Sequence, residues 1–502
     1  MLNTSHTGGA PVYKVALIYI LLMLAGCSMP GGRSWIIPLT IDPSDLSITP
    51  EQRERYLERR NRVASGLDGA VVLLRSDQPD GLNRHQYRPN NYFYYLTGCD
   101  IPRTFMVLSA GRGETGFAMA APPENIRMMI YEGAPMREEK MDALFGPDKI
   151  YSYSEFRSVM DSLLKSDLVI YTDLSDREFV NDLKRRAGEG SENRFLSVAQ
   201  LVDEQRVIKG AMEVARLQKA CNITSQALVN VMRNCEPEMY EFEMEAVIEG
   251  TFLEYGASMP GFSSIVGSGP NSTTLHYEPN DRMMEKGDLL LMDIGAEYGY
   301  YTADITRTIP VNGRFTREQE AIYQLVLDAQ KLAIDVMKPG IPLGEAHLVA
   351  GKRIIRGLYE LGLVTDTTSA WQQSFYILYP ASHYLGLDVH DVGDYGSFFM
   401  GFYRDPLGSS SESRNLEPGM VLTIEPGIYI REAGLDQLQD IYGSRADSAE
   451  IAQFIEQVSP VYSNYVNIGV RIEDDILITR DGNINLSRYA PKEVDDIEQL
   501  MR

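Results

Sequence analysis

The stretch LLLMDIGAEYGYYTADITRT, residues 289–308, decides how this chain is interpreted. Two apolar runs flank a turn at Tyr298 and Gly299, which is typical of a β-hairpin. With a two-residue turn there, Asp293 and Asp304 would face each other with their Cβ atoms roughly 5 Å apart. Two like charges at that distance repel, and a multivalent cation would remove the repulsion. The hairpin therefore predicts a metal site.

Further carboxylates interrupt apolar, strand-like runs in the same half of the chain. Glu425 ends a predicted strand in EPGMVLTIEPGIYI, and Glu473 lies in the predicted strand NIGVRIEDDILIT. Burying an unpaired carboxylate costs several kcal/mol, so four such residues need compensation. Histidines accompany them in ASHYLGLDVHDVG (His383 and His390) and in TTLHYEP (His276). Carboxylates with a histidine suit a divalent ion such as Mn²⁺, and paired ions activate water for hydrolysis.

Composition limits the classes of protein that fit. The chain has 502 residues, 44% of them hydrophobic, and a formal net charge of -23. This length favours two domains, and the acidic surface argues against nucleic acid as a partner. Beyond Cys27, the cysteines are Cys99, Cys221 and Cys235, with no CxxC pair. We expect buried thiols, although a bridge between Cys221 and Cys235 is the alternative.

The N-terminus has the pattern of an export signal. Lys14 precedes the apolar run VALIYILLMLAG, which at twelve residues is shorter than the roughly 20 that span a bilayer. The run ends in LAGC, which resembles a bacterial lipobox with Cys27 as the lipidated residue. Residues 1–27 are therefore predicted to be a lipoprotein signal peptide, and residues 28–43, rich in proline and glycine, a tether. The resemblance places the protein in the periplasm, lipid-anchored to the outer membrane; an uncleaved anchor is the alternative.

The remaining chain divides into two predicted domains at about residue 206. In residues 44–206, a charged helix pattern (EQRERYLERRNRVASGL) precedes short apolar runs interpreted as strands, among them GAVVLLRS, YFYYLTGC and TFMVLSAG. Strands alternating with helices predict an α/β domain. Residues 207–502 combine long helix patterns with strand hairpins and carry every motif described above.

These motifs resemble the pita-bread metallopeptidases, most closely the aminopeptidase P subfamily and next the Xaa-Pro dipeptidases (prolidases). The words ADITRT, SHYLGLDVHDVG, IEPGIY and GVRIEDD match the catalytic half, and RRNRVA and YRPNNYFYYLTG are similar to the creatinase-type N-terminal domain. The resemblance implies a pita-bread α+β catalytic domain with a curved antiparallel sheet. It also implies hydrolysis of the bond between an N-terminal residue and a following proline, in small proline-containing peptides. Homo-oligomers are common in the family.

The resemblance implies a role for each residue of the motifs. Two divalent ions, taken to be Mn²⁺, would be held by five ligands: Asp293, Asp304, His383, Glu425 and Glu473. Asp304 and Glu473 would bridge, and Glu425 would also transfer protons. His276 and His390 would contact substrate. Arg471 and Tyr429 would orient the carboxylates, with a strand salt bridge and a core tyrosine as the alternatives.

Two departures from the family pattern stand out. Tyr379 in YPASH occupies the place of a frequent histidine, and we expect it to tune the site through its hydroxyl. The stretch between Glu425 and Glu473 is long, with an acidic, partly helical insertion over residues 431–460 that could cover the cleft, bind a neighbour or decorate the surface.

Three functions are compatible with the sequence. The first is an aminopeptidase that acts before proline, and the second is a prolidase that uses the same chemistry on dipeptides alone. The third is a metal-free, creatinase-like or binding homologue, which the presence of all five ligands disfavours. The YRPNNYFYYLTG word favours the first.

Overall fold

The computed structural model describes residues 37–39, 47–77, 87–111, 114–123, 126–402, 404–410 and 412–502. The described residues from Leu39 onward form one compact unit, to which residues 37 and 38 do not belong. The predicted signal peptide, Cys27 and most of the predicted tether lie outside the described residues. Among the residues that the structure describes, no helix combines the length and apolar character that a membrane crossing requires.

The N-terminal part of the compact unit contains a mixed sheet of six strands covered by helices. The strand order is β4-β3-β2-β1-β5-β6; β1, β2 and β3 are antiparallel neighbours, and the other pairs are parallel. The strands are β1 (Ala70–Arg75), β2 (Phe105–Gly111), β3 (Glu114–Ala120), β4 (Lys149–Tyr151), β5 (Val169–Thr172) and β6 (Phe195–Ser197). The helices are α1 (Pro50–Ala64), α2 (Asn91–Thr97), α3 (Ile126–Glu132), α4 (Glu138–Phe145), α5 (Tyr153–Lys165), α6 (Arg177–Ala187) and α7 (Ala199–Val207). The predicted α/β class of this part is confirmed.

One predicted strand is wrong. The run YFYYLTGC forms helix α2, because Asn90 caps its start and Gly98, with a φ of 70°, ends it in the left-handed conformation. Phe93 to Thr97 are all buried, so the run has no polar face to reveal a helical period. By contrast, the predicted first helix is present as α1, where Thr49 and Gln52 form a capping box.

The C-terminal part combines helices with short antiparallel strands. The helices are α8 (Ala211–Asn234), α9 (Glu241–Glu254), α10 (Arg317–Val336), α11 (Gly344–Glu360), α12 (Ala370–Tyr376), α13 (Phe398–Phe402), α14 (Leu438–Tyr442), α15 (Ser448–Tyr462) and α16 (Val494–Leu500). The strands are β7 (Met259–Pro260), β8 (Ile265–Ser268), β9 (Leu289–Ile294), β10 (Ala296–Tyr298), β11 (Tyr301–Thr302), β12 (Ile305–Pro310), β13 (Val421–Ile424), β14 (Gly427–Ile430), β15 (Ile468–Arg471), β16 (Asp474–Ile478) and β17 (Asn483–Asn485). The predicted boundary near residue 206 falls at the end of α7 and stays a prediction.

The strands form four hydrogen-bonded groups, with orders β11-β10-β7, β12-β9-β8, β13-β16-β17 and β14-β15. Predicted ligands occupy the breaks between groups: Asp304 lies between β11 and β12, Glu425 between β13 and β14, and Glu473 between β15 and β16. The prediction that Glu473 lies within a strand is therefore wrong, because Glu473 lies directly before the first residue of β16. A side chain at a break is released from strict up-and-down alternation, so several carboxylates can turn toward one point.

The insertion contributes helices α14 and α15. They pack on α12, where the Trp371 ring meets Phe454 edge-on at 5.0 Å and its indole N–H donates to Glu450 at 2.7 Å. Tyr462 stacks on Phe375 of the same helix. The free cysteines Cys99, Cys221 and Cys235 are buried, as expected for thiols without a bridge.

Candidate active site

The predicted site residues converge on one cavity of about 480 Å³. It is lined by nine of the residues singled out from the sequence: His276, Asp293, Asp304, Tyr379, His383, His390, Glu425, Arg471 and Glu473. The tenth, Tyr429, is buried directly behind this wall and contacts Tyr379 and Arg471. Residues almost 200 positions apart in the sequence are thus brought together by the strand breaks described above.

The register of the central hairpin differs from the prediction. The turn is Gly299 and Tyr300, with φ of 56° and 69°, so the pairing moves and Asp293 lies opposite Thr306 rather than Asp304. Positive φ at both central residues is typical of a type I′ turn, which matches the twist of the strands. A shift of two positions leaves Asp304 on the same face as Asp293, diagonally related to it. The two carboxylates therefore share the cavity although they are not directly opposed.

His383 presents an unprotonated nitrogen to the acidic residues. Its Nδ1 lies 3.0 Å from the Tyr384 carbonyl, to which it must donate. Burial lowers the pKa of His383 to about 3, helped by the adjacent His390, so the ring is neutral. Its Nε2 lone pair then faces Asp304 Oδ2 at 3.3 Å and Glu425 Oε1 at 3.4 Å. An imidazole lone pair among ionised carboxylate oxygens is repulsive unless a proton or a metal cation lies between them.

The carboxylates lack enough positive charge from the chain. Ligand atoms of Asp304, His383 and Glu473 all lie within 4.8 Å of one another. Burial, reinforced by the neighbouring acids, raises the pKa of Asp304 and of Glu473 well above ordinary values. Burial likewise raises the pKa of Glu425 to about 8, although Arg471 opposes this. A divalent ion would supply the missing charge, and the oxygen and nitrogen donors suit one.

Arg471 holds Asp293 from behind. Its Nη2 donates to Asp293 Oδ2 at 2.5 Å, and its Nη1 donates to the Tyr429 hydroxyl at 2.7 Å. The other oxygen of Asp293, Oδ1, is buried and has no hydrogen-bond partner among the described residues. A buried acceptor left open in this way fits a metal ligand whose partner is an ion. Arg471 thus contacts the Asp293 carboxylate directly, whereas Tyr429 contacts Arg471 and Tyr379. Their role in orienting the carboxylates stays a prediction.

The sequence interpretation missed the hydroxyl groups that orient the acids. The Thr306 hydroxyl donates to Glu473 Oε2 at 2.6 Å and accepts from Arg471 Nε at 3.0 Å. The Thr423 hydroxyl lies 3.3 Å from Glu425 Oε1. Each threonine is two residues from a ligand, on the same face of the chain, and this spacing was the available signal. Tyr395 and Ser382 also line the cavity, without a signal in the sequence.

The two outer histidines lie on the open side of the cavity. The His390 ring stacks on His383 with centroids 4.0 Å apart. Partial burial and the nearby His276 lower the pKa of His390. The next residue, Asp391, is buried against Lys209 at 2.9 Å and Arg206, which anchors the loop that carries His390. Imidazole rings at this position can form hydrogen bonds with a bound peptide.

Comparison with known proteins agrees with this geometry. The model of metallopeptidase family M24 matches residues 215–480, and the model of the aminopeptidase P N-terminal domain matches residues 56–171. The chain belongs to metallopeptidase family M24. The predicted resemblance and the fold class, a creatinase-type α/β domain followed by a pita-bread α+β domain, are confirmed.

Relatives in this family align over almost their whole length. The Xaa-Pro aminopeptidase of Escherichia coli is 33% identical over 468 residues, covering 89% of this chain and 98% of the relative. The Xaa-Pro aminopeptidase of Haemophilus influenzae is 32% identical, covering 89% and 97%. The structure of Pseudomonas aeruginosa aminopeptidase PepP has a TM-score of 0.76 and 31% identity, covering 91% of this chain and 98% of that one. These comparisons confirm the predicted enzyme class, a metallo-aminopeptidase.

Proposed function

We propose that this enzyme uses two divalent metal ions to hydrolyse the bond between an N-terminal residue and a following proline. The observation that carries the proposal is the neutral His383 nitrogen pointing at Asp304 and Glu425, 3.3 Å and 3.4 Å away, inside a cavity rich in carboxylates. Relatives that match most of the chain are named Xaa-Pro aminopeptidases, which supports the substrate class. The ions would be held by five residues: Asp293, Asp304, His383, Glu425 and Glu473.

The ions, when bound, would polarise the scissile carbonyl and lower the pKa of water. Around them, the residues of the chain orient the reactants. Arg471 and Thr306 fix the carboxylates of Asp293 and Glu473, so the ligand geometry is set before substrate arrives. The excess of acidic groups also favours the positively charged amine at the start of a peptide.

Glu425 is suited to proton transfer. Its carboxylate lines the cavity, and Thr423 holds one of its oxygens. The proline ring nitrogen in the scissile bond carries no hydrogen, so it leaves as a secondary amine only after it gains a proton. Glu425 can take a proton from water and deliver it to that nitrogen, which is general acid–base catalysis by one group. His276 and His390, on the open side, can donate hydrogen bonds to the carbonyl oxygen or to the departing peptide.

Manganese is the proposed metal. Four carboxylates and one imidazole form a donor set of hard oxygen with one nitrogen and no thiolate, which suits Mn²⁺ better than softer metals. A relative has been solved with a different ion, as Zn-substituted Escherichia coli aminopeptidase P in complex with product. Activity of the metal-stripped enzyme resupplied with Mn²⁺, Co²⁺ or Zn²⁺ tests this choice, and a higher kcat with Zn²⁺ than with Mn²⁺ would overturn it.

The proposed location is the periplasm, with a lipid on Cys27 that anchors the protein to the outer membrane. Support comes from the apolar run and LAGC word at residues 15–27. Labelling with a radioactive fatty acid tests it: the wild-type protein should be labelled and a Cys27→Ala variant should not. A homo-oligomer is the proposed assembly, and light scattering of the soluble enzyme measures it.

A pair of peptides tests the proposed substrate. The enzyme should hydrolyse an Ala-Pro-Ala-Ala peptide at its first bond and leave Ala-Ala-Ala-Ala, the matched control, nearly untouched. Efficient hydrolysis of Ala-Pro alone would instead identify a prolidase. Absence of hydrolysis together with absence of Mn²⁺ binding would support the metal-free homologue and overturn the proposal.

A further inference from the structure

The hydroxyl of Tyr379 lies at a junction between the cavity wall and the polar groups behind it. It donates to the backbone carbonyl of Glu425 at 3.0 Å and lies 2.8 Å from the Tyr429 hydroxyl. The side chain also lines the cavity, so one residue contacts both the substrate space and the backbone of a predicted ligand.

Arg471 fixes the direction of these hydrogen bonds. A guanidinium can only donate, and Arg471 Nη1 donates to the Tyr429 hydroxyl at 2.7 Å. The Tyr429 hydroxyl must then donate its single hydrogen bond to the Tyr379 hydroxyl, and the Tyr379 hydroxyl donates its own to the Glu425 carbonyl. Because Arg471 also donates to Asp293, the resulting chain connects the side chain of one predicted ligand to the backbone of another.

Gly427 provides the space for the two hydroxyl groups. A β-carbon at this position would lie 2.6 Å from the Tyr429 hydroxyl and 2.8 Å from the Tyr379 hydroxyl, closer than real β-carbons approach other atoms. The glycine that follows Glu425 and Pro426 is therefore packed against both tyrosines. This close packing leaves the backbone around Glu425 little freedom once the hydroxyls are in place.

The insertion supports the segment from which Tyr379 projects. Tyr379 follows three residues after the end of α12, and α12 is held by Trp371 against Phe454 and Glu450 of α15. The added helices thus stabilise one wall of the cavity without lining it.

We propose that Tyr379 is a positioning residue that fixes Glu425 through the hydrogen-bond chain from Arg471. A buried, polarised chain of hydrogen bonds holds its members more firmly than separate bonds would. With the carbonyl of Glu425 held, its carboxylate stays aligned for the ion and for proton transfer. The consequence for catalysis rests on the proposed substrate and reaction, whereas the consequence for metal binding rests on the proposed metal ligands alone.

The Tyr379→Phe variant removes the hydroxyl and keeps the ring. We expect the dissociation constant for Mn²⁺, measured by calorimetry without substrate, to rise about 10-fold, and kcat to fall more than KM changes. The matched control is Tyr376→Phe, because the Tyr376 hydroxyl is also buried and donates to a backbone carbonyl, that of Leu363, at 2.8 Å. It should lower the unfolding temperature similarly while leaving Mn²⁺ affinity unchanged.

Three further variants extend the test, and two of them, Tyr429→Phe and Tyr379→His, keep it decisive if Tyr379→Phe fails to fold. Tyr429→Phe interrupts the same chain and should weaken Mn²⁺ binding to a similar extent, and the double variant should lose little more than either single one. Tyr379→His, which restores a donor, should recover part of the affinity. Wild-type Mn²⁺ affinity in Tyr379→Phe, or independent and additive losses in the double variant, would overturn the proposal. Failure of wild-type enzyme to cleave Xaa-Pro peptides would overturn the proposed function alone.

Discussion

Glu473 and Asp474 are neighbours in the chain and are equally buried, yet their surroundings are opposite. The Asp474 carboxylate forms ion pairs with Arg307 at 2.6 Å and with Lys492 at 2.5 Å. Burial alone would raise the pKa of Asp474, but the two cations bring it below its ordinary value. Glu473 receives the Thr306 hydroxyl, and burial together with Glu425 and Asp293 raises its pKa well above the ordinary value.

The difference shows what each cluster is built for. The cluster of Arg307, Asp474 and Lys492 contains its own counter-charges, so the chain alone satisfies it. The cluster around Glu473 and Asp304 has Arg471 as a cation, on the side of Asp293, and must obtain more positive charge from solution. The first cluster therefore contributes to the fold, and the second is available for divalent ions and for chemistry.

The largest expected effect is on catalysis, from Asp304→Asn. The change removes one negative ligand with little change in shape, and loss of metal-assisted charge stabilisation is worth several kcal/mol. We expect kcat/KM for an Xaa-Pro peptide to fall by about 10³-fold or more. Steady-state kinetics at saturating Mn²⁺ measures it. Activity within tenfold of wild type would contradict the contrast between the two clusters, because it would show that catalysis does not depend on a metal held by Asp304.

The second effect is on stability, from Asp474→Ala. Removing this carboxylate leaves Arg307 buried without its partner, which should lower the free energy of unfolding by about 3–5 kcal/mol. Chemical denaturation of the Mn²⁺-loaded protein measures it. Asp304→Asn is the matched contrast: without metal it should be at least as stable as wild type, because the buried asparagine is uncharged without having to bind a proton. Equal destabilisation by both changes would erase the distinction between the clusters.

The third effect is a dependence on pH. In the metal-free protein the folded-state pKa of Glu425 is about 8, above its unfolded value, so its stabilising contribution is complete below that unfolded value and disappears as pH rises through 8. Asp304 and Glu473 shift in the same direction. Metal displaces these protons, so Mn²⁺ should bind more tightly at higher pH.

Unfolding free energies with and without Mn²⁺, compared at about pH 5.5 and about pH 8, measure this effect. The difference in unfolding free energy between the Mn²⁺-loaded and the metal-free protein should increase as pH rises. A decrease in this difference with rising pH would contradict the assignment of proton-binding carboxylates to the metal site.

The smallest expected effect comes from Thr306→Val. The variant keeps the shape of the side chain but removes the hydroxyl between Glu473 and Arg471, which should weaken Mn²⁺ binding by about 10-fold. Thr306→Ser retains the hydroxyl and is the control. Similar Mn²⁺ affinities in both variants would show that Glu473 is oriented without this bond.

The sequence indicated which acidic residues meet in the cavity better than it indicated the geometry around them. Asp293, Asp304, Glu425 and Glu473 were identifiable because each interrupts an apolar run, where an uncompensated charge is costly. The hairpin register was not, because EYGYYT contains one glycine and nothing in it shows that Tyr300 also takes a positive φ.

Other features were beyond a single sequence for physical reasons. Helix α2 is buried on all sides, so its aromatic run has no polar face and resembles a strand. The hydrogen bonds among Tyr379, Tyr429 and Arg471 join three segments, and a tyrosine or an arginine in a strand is unremarkable until its partner is known. Patterns in one segment do not report contacts between segments.

The most direct test measures the free energy of unfolding at about pH 8 for wild type, Asp304→Asn and the control Asp328→Asn, each with and without Mn²⁺. Asp328 is a partly exposed carboxylate paired with Arg353, and it does not line the cavity. At a hundredfold excess over its dissociation constant, Mn²⁺ should stabilise wild type and the control by about 2.7 kcal/mol or more. Asp304→Asn should gain less than half of that. Equal stabilisation of all three proteins, or none in wild type, would contradict the claim that this acidic cluster is completed by divalent ions.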